Sequence, residues 1–413
     1  MPDAYLFFVG IDLGSDRHQV HLIDQPGQTV AQLNVEHGGA GIRQLLEWIS
    51  QNTNSAAPAT VAVALEAPRG AIIDALLERG YPGFSINPKQ LDRFRDRFSV
   101  AGAKDDRRDA LVLAQSLRTD LPLFRALAPD DPQVLRLREL SRAEDALQED
   151  ARRTANQLWS YLQRYFPALL QLSSGADELW LYDLLRRTEA LPHRAARLRR
   201  SQLQALLGRH HIRRFSAEEL QQHLGNPLSL AAGVDRALAE QVLLLLPRLE
   251  LLHQQRSDLA RRIQQLLEDL AQDENFTEHR SVEILRSIPG LGRVFTATVL
   301  AEAFTPLVHR DYHALRALAG VAPVTQQSGK TCLVSMRRAC NRRLRDATFH
   351  AAMIFMQKDP RARQIYASLR QRGHSHARAL RGLADRLLEL ICLLLRQQTL
   401  YDPSLRALEQ AAA

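Results

Sequence analysis

Strand-like runs crowd the part of this 413-residue chain that precedes Pro122 and stop after it, and no other feature limits the fold so strongly. Between Tyr5 and Val35 three such runs follow one another, YLFFVGIDL, QVHLID and TVAQLNV, with Gly14, Ser15 and Gly27 at the turns. The amphipathic run IRQLLEWIS predicts a helix. TVAVALEA predicts a strand covered on both faces, because its apolar run has no polar alternation. Gly80 closes a helix in AIIDALLERG, GFSIN is a short strand, and Pro88 opens the helix PKQLDRFRDRF at a favoured first-turn position. The expected order is three strands, helix, strand, helix, strand and two helices. That is an α/β layout with an antiparallel start and a parallel finish.

The second of the last two helices begins in KDDRRDALVLA, residues 104–114. Asp106 and Asp109 are three apart, so a helix stacks them on one face. Flanked by Arg107 and Arg108, the pair alone reads as an ordinary solvated helix. Two further acids change that reading: Asp12 closes the strand-like YLFFVGID, and Glu66 closes TVAVALE. Four carboxylates from two strand ends and one helix face form the pattern of a metal-dependent phosphodiester site. Brought close together they would repel one another, and a bound cation is the natural compensation.

Beyond Pro122 the pattern turns helical. Apolar residues recur at alternating steps of three and four from Leu137 to Tyr165, and again from Leu249 to Leu270. Such heptad-like seams fit an antiparallel hairpin, a coiled coil between subunits, or the core of one bundle. A subunit contact through Leu259 and Ile263 is the expectation carried forward, with Pro247 kinking or starting the second helix. Between the seams lies a basic stretch with Arg194, Arg197, Arg200, Arg209, Arg213 and Arg214. These could track a phosphate backbone, although a charge run is more often a solvated face. In SIPGLGRVF the residues Pro289, Gly290 and Gly292 make a tight turn onto a helix, as in helix-hairpin-helix modules that hold phosphate on backbone N–H groups. Ser328 follows in QQSGK, in a loop before a basic helix carrying Arg337, Arg338, Arg342 and Arg343.

Composition narrows the partners. A formal charge of +8 suits a polyanion without demanding one, and 45% hydrophobic residues suit a folded chain. Cys332, Cys340 and Cys392 lack the paired spacing of zinc ligands and read as free thiols of a reducing cytoplasm. The N-terminus carries no basic, apolar leader pattern, and no run of about eighteen apolar residues suggests a membrane span.

In order and spacing, GID, LEAPRG, NPKQLDRF, KDDRRDALVLA, SIPGLG, LAGVAP, QQSGK and CNRRLRDA resemble the DEDD transposases of insertion sequences. The type is IS one-ten and IS eleven-eleven, the bridge-RNA-guided DNA recombinases. The resemblance implies a catalytic α/β domain over residues 1–125, RNase H-like and similar to the RuvC resolvase. It further implies a long helical, coiled-coil region with a basic insert over 126–280, and a mainly α transposase domain over 281–413. The family's four acids map onto Asp12, Glu66, Asp106 and Asp109, implied ligands of Mg²⁺, and its nucleophilic serine maps onto Ser328. Nucleic-acid contacts are then expected at Lys104, Lys330, Arg337, Arg338, Arg342 and Arg343. Two departures leave alternatives open: Asp105 competes with Asp106 for the third place, and Asp16 is a minor competitor of the first acid. The implied partners are DNA at the element's ends and target, a structured guide RNA, and further copies of the chain, dimer to tetramer, in the cytoplasm at the nucleoid.

A nuclease lets water attack and discards the energy of the phosphodiester bond, whereas a recombinase conserves it in an ester to an enzyme hydroxyl. The resemblance therefore implies a covalent phosphoserine at Ser328. Ser335, after an apolar pair, reads as structural. The rival reading keeps the RuvC-like fold and drops the serine, leaving a structure-specific endonuclease. An actin-like ATPase or sugar kinase shares a GIDLG-like turn but needs further glycine-rich phosphate loops, and none is evident after residue 120. A binding-only regulator would make the carboxylates dispensable.

Overall fold

The computed structural model of the chain describes residues 5–66, 70–98, 106–127, 131–225, 228, 230–231, 233–329 and 331–403. The chain divides into two compact units, residues 1–131 and 132–413.

The first unit is a six-stranded mixed sheet flanked by helices. Its elements are β1 (Phe7–Leu13), β2 (Arg17–Asp24), β3 (Thr29–Glu36), α1 (Gly39–Asn52), β4 (Val61–Leu65), α2 (Ala71–Glu78), β5 (Gly83–Ser85), α3 (Pro88–Phe98), α4 (Asp106–Asp120) and β6 (Arg125–Leu127). The sheet order is β3-β2-β1-β4-β5-β6. β1, β2 and β3 pair antiparallel, while β1–β4 and β4–β5 pair parallel. The wholly parallel finish is corrected by β6, which pairs antiparallel with β5 and closes that edge. Three residues are too few to show a two-residue period, so the sequence hides this strand.

Strand alternation sorts the side chains into two layers. Val9, Ile11, Val63 and Leu65 face Leu45 and Ile49 of α1 and Ile72 and Leu76 of α2. Phe8, Ala62 and Ala64 face Leu91 of α3 and Leu113 and Leu117 of α4. All five residues of β4 are buried, as its unbroken apolar run predicts. On the α4 side Gly10, Ala62 and Ala64 make a low floor. A Cβ on Gly10 would lie 2.0 Å from the Ala110 carbonyl oxygen and 2.7 Å from the Ala114 nitrogen. The missing side chain therefore sets how closely α4 lies on β1.

The second unit is built on two long helices, α5 (Pro132–Tyr165) and α11 (Val234–Gln272). Between them come α6 (Ala168–Leu172), α7 (Leu179–Arg187), α8 (Pro192–Ala195), α9 (Arg200–Arg209) and α10 (Ala217–Leu224). Beyond them come α12 (His279–Ser287), α13 (Arg293–Glu302), α14 (Phe304–Val308), α15 (Tyr312–Leu318), β7 (Pro323–Ser328), β8 (Thr331–Met336), α16 (Arg342–Lys358), α17 (Pro360–Gln371) and α18 (His376–Gln397). Val134 and Leu137 at the start of α5 share a core with Leu259, Ile263 and Leu266 near the end of α11. Leu158, Leu162 and Tyr165 at the other end of α5 meet Leu238, Val242 and Leu246 near the start of α11. The seams are thus an antiparallel hairpin within one chain, with Pro247 inside α11. Leu259 and Ile263, expected between subunits, are buried in this chain's own core. The connection through α6–α10 is long enough to turn the chain back on itself, so each seam finds its partner locally.

The first core also takes in α12, α13, α16 and α18, and the second takes in α6–α10 around Trp180 and Tyr182. The expectation that strands end at Pro122 is corrected again by β7 and β8. They form a hairpin with Ser328 opposite Thr331 and Val324 opposite Ser335. Its residues are almost all exposed. With no buried face, PVTQQS carries little apolar alternation, and the sequence reads as a loop. Among the described residues no helix is long and apolar enough to cross a membrane.

Candidate active site

The parallel register of β1 and β4 brings two of the sequence-predicted acids together. Ile11 lies opposite Leu65, so Asp12 and Glu66 are the next residues along two neighbouring strands, which run about 4.8 Å apart. Ile11 and Leu65 face the α1–α2 layer, and one step of alternation turns Asp12 and Glu66 toward the α3–α4 layer. Close packing of α4 on Gly10 carries Asp109, one residue before Ala110, to the same end of the sheet. Asp109 is 3% exposed, while Asp12 and Glu66 are half-buried.

A buried carboxylate needs compensation. Arg95 of α3 supplies it through a fork, with Nε donating to Oδ1 of Asp109 at 2.7 Å and Nη2 to Oδ2 at 2.8 Å. Its third nitrogen, Nη1, pairs with Asp92 one turn earlier on α3. Burial alone would lower the pKa of Arg95. The Asp109 hydrogen bond and the charges of Asp109, Asp92 and Glu66 outweigh that and raise it. Glu66 is thereby placed within electrostatic reach of the same guanidinium.

Asp106 is the first residue of α4, and its side chain lies outside the described residues, as do Lys104 and Asp105. Asp16 is exposed in the β1–β2 turn, where its carbonyl accepts the His37 N–H at 2.8 Å. Among the described residues, no three Asp, Glu, His or Cys side chains are gathered closely enough to hold one metal ion. Neither Arg95 nor Gly10 was singled out by sequence reasoning. DRFRDRF offers many charges with nothing to rank them, and a glycine in a strand has several uses.

Ser328 belongs to the second unit. It is exposed, and it is the last residue of β7 before a turn in which Gly329 takes a left-handed φ of 56°. Lys330 lies outside the described residues. The base of the hairpin is firmly tied. Gly320, also left-handed, passes so near Cys340 that a Cβ there would lie 2.8 Å from Sγ. The Asn341 N–H donates to the Leu318 carbonyl at 2.9 Å, and the Asn341 side chain caps α16 by accepting from Leu344 N–H at 3.1 Å. Nδ2 of Asn341 also donates to Glu302 at 2.7 Å.

Glu302 is the hub of that anchor. Arg142 donates to it at 2.9 and 3.2 Å, and Nη1 of Arg343 at 2.6 Å. Burial pushes its pKa up, but hydrogen bonds from Arg142 and Asn341 and the charges of Arg142 and Arg343 outweigh this and hold it at about 2. Arg343 also pairs with Asp145, so its guanidinium is engaged inside the protein. Arg338 and Arg342 are exposed and Arg337 is half-buried. The Pro289–Gly290 turn is pressed against α16, where a Cβ on Gly290 would meet Ile354 at 2.7 Å, while Gly292 is exposed.

In the basic insert Arg194, Arg200, Arg209 and Arg214 pair with Glu189, Glu218, Asp183 and Glu178 of the same subdomain. Most of that charge is internally balanced, which favours the solvated-face reading of the stretch. Arg197 and Arg213 are exposed.

Comparison with known proteins adds an independent line. A family model described as Transposase, the DEDD type of IS110, matches residues 9–167. A second, described as Transposase IS116/IS110/IS902 family, matches residues 282–367. The mini-circle putative transposase for IS117 of Streptomyces coelicolor is 33% identical over 431 residues, covering 100% of this chain and 99% of its own length. A putative transposase, y4uE, of Sinorhizobium fredii is 43% identical over 217 residues, 52% of this chain, and the match spans 60% of that relative. An uncharacterized 43.6 kDa protein of insertion element IS110, also from Streptomyces coelicolor, is 28% identical over 424 residues, 98% of each chain.

Proposed function

Because the chain belongs to the IS110 family of insertion-sequence transposases, enzymes that cut and rejoin DNA, we propose a specific division of labour in it. Asp12, Glu66, Asp106 and Asp109 form a Mg²⁺-dependent site on an RNase H-like, RuvC-like first unit, and Ser328 is the nucleophile. The observation that carries this reading is the β1–β4 register, which sets Asp12 beside Glu66 on the face where α4 brings Asp109.

The donor set suits the ion. Oxygen ligands are what a hard divalent cation takes, and three carboxylates act on the single guanidinium of Arg95, leaving negative charge in excess. When bound, Mg²⁺ would offset the charge of the scissile phosphate and acidify a hydroxyl bound to it. Asp12 and Glu66 are held by adjacent strands and Asp109 by helix packing and Arg95, so the ligands are fixed before substrate arrives. The Ser328 hydroxyl loses its proton as Oγ bonds to phosphorus, and the bond from phosphorus to the departing deoxyribose oxygen breaks. The ester keeps the energy for the joining step. Gly329 leaves the tip of the hairpin narrow enough for DNA to approach.

Arg337, Arg338 and Arg342, together with Lys104 and Lys330, hold phosphate, while Arg343 fixes the start of α16 from inside. A guide RNA supplies sequence by base pairing, and the protein holds the paired helices by their backbones. Working copies assemble as dimers and tetramers at the nucleoid. The test is a denaturing gel of protein incubated with element-end DNA and guide RNA in Mg²⁺. Wild type should give a protein–DNA adduct. Ser328→Ala should bind nucleic acid without forming one, and Asp106→Asn should neither cut nor join. An adduct of wild-type yield from Ser328→Ala removes the serine from the mechanism. Cleavage without any adduct makes the enzyme a hydrolytic nuclease.

A further inference from the structure

We infer that Arg95 is a built-in counter-cation of the metal site, one that a divalent ion must displace from Asp109, with Asp92 as the acid onto which it withdraws. This rests on the reading of Asp109 as a metal ligand. Both Asp109 oxygens are occupied by the Arg95 fork, at 2.7 and 2.8 Å, so an ion can bind Asp109 only after at least one of these hydrogen bonds opens. Withdrawal does not leave the guanidinium unpaired, because Nη1 already contacts Asp92. Asp92 lies on the wet side of the pair, its side chain 65% exposed against 4% for Asp109. An arginine able to turn from a buried to an exposed acid can keep Asp109 compensated before the ion arrives and release it afterwards. Arg95 is thus a positioning residue that sets the affinity of the site. It takes no part in bond making.

The experiment measures Mn²⁺ binding to the full-length chain by calorimetry, with circular dichroism to verify folding. Arg95→Gln should bind Mn²⁺ more tightly, on the order of tenfold. Arg95→Lys keeps the charge, but a single ammonium cannot span both Asp109 oxygens and reach Asp92 as well. It should also bind more tightly, which a role through charge alone would not produce. Asp92→Asn removes the withdrawal partner and should weaken binding several-fold. Asp109→Asn should lose binding at this site. If Asp109→Asn binds like wild type, the metal-site reading fails and this inference falls with it. If Asp109→Asn loses binding while Arg95→Lys keeps wild-type affinity, only the role of Arg95 is overturned. Should the Arg95 variants fail to fold, Asp92→Asn decides: weaker binding supports the displacement, and unchanged affinity rejects it.

Discussion

Asp109 in the first unit and Glu302 in the second are both buried carboxylates gripped by arginine, yet their surroundings are opposite in sign. Around Glu302 two guanidiniums and an amide converge on one acid. Around Asp109 a single guanidinium is shared with Asp92 and feels Glu66 as well. The first arrangement is satisfied by the protein itself and ties α5, α13 and α16 into one anchor. The second has more acid than the protein balances and is suited to an added cation. Burial and an ion pair do not separate a structural carboxylate from a working one; the local excess of charge does.

Neutralising each acid in turn should break this symmetry most sharply. Asp109→Asn should lower DNA cleavage about a thousandfold or more, the loss expected when a metal ligand worth several kcal/mol goes, with folding little changed. Glu302→Gln should do the reverse. It leaves Arg142 and Arg343 poorly compensated, costs about 3 kcal/mol in urea unfolding, and leaves the cleavage rate per folded molecule within a few-fold of wild type. Equal losses of cleavage in the two variants would mean that charge excess does not mark function here.

Gly10→Ala probes the packing that carries Asp109 to the strand ends. Its methyl group would have to push α4 off β1, because the atom it meets is a backbone oxygen at 2.0 Å. A stability loss of about 3 kcal/mol is expected, accompanied by a fall in cleavage, since the helix carries the acid. Comparable destabilisation through Glu302→Gln should spare cleavage, so the pair of variants distinguishes displacement of the site from general loosening.

Acid separates the two regions more gently. The pKa of Glu302 is held at about 2, below its ordinary 4.5, so its ionised form favours the folded state. That contribution is fully present above pH 4.5 and disappears as the pH falls toward 2. The stability gap between wild type and Glu302→Gln should therefore narrow by about 2 kcal/mol between pH 6 and pH 3 in urea titrations. A gap that stays constant over that range would mean the hub is held by hydrogen bonds irrespective of charge.

The sequence by itself determined the strand and helix order of the first unit, the acids at its strand ends and the helical character of nearly everything beyond. Each of these is local: an apolar run such as TVAVAL or a heptad seam dictates its own secondary structure, and the end of such a run marks the acid beside it. The family resemblance was legible for the same reason, in short blocks that survive without knowledge of their neighbours in space. Tertiary structure alone decided which seam met which. Leu259 carries the same heptad signal whether its partner is α5 of the same chain or another subunit, and only the long connection through α6–α10 resolves that. It alone revealed β7 and β8, whose pairing energy lies in backbone hydrogen bonds and leaves no apolar period in PVTQQS. It alone selected Arg95 from the charges of DRFRDRF and Arg343 from those of CNRRLRDA, and turned each toward a buried acid. A charged side chain reports its sign in the sequence, but its partner is set by distance, and distances between Arg95 and Asp109 or between Arg343 and Glu302 exist only once the helices have packed.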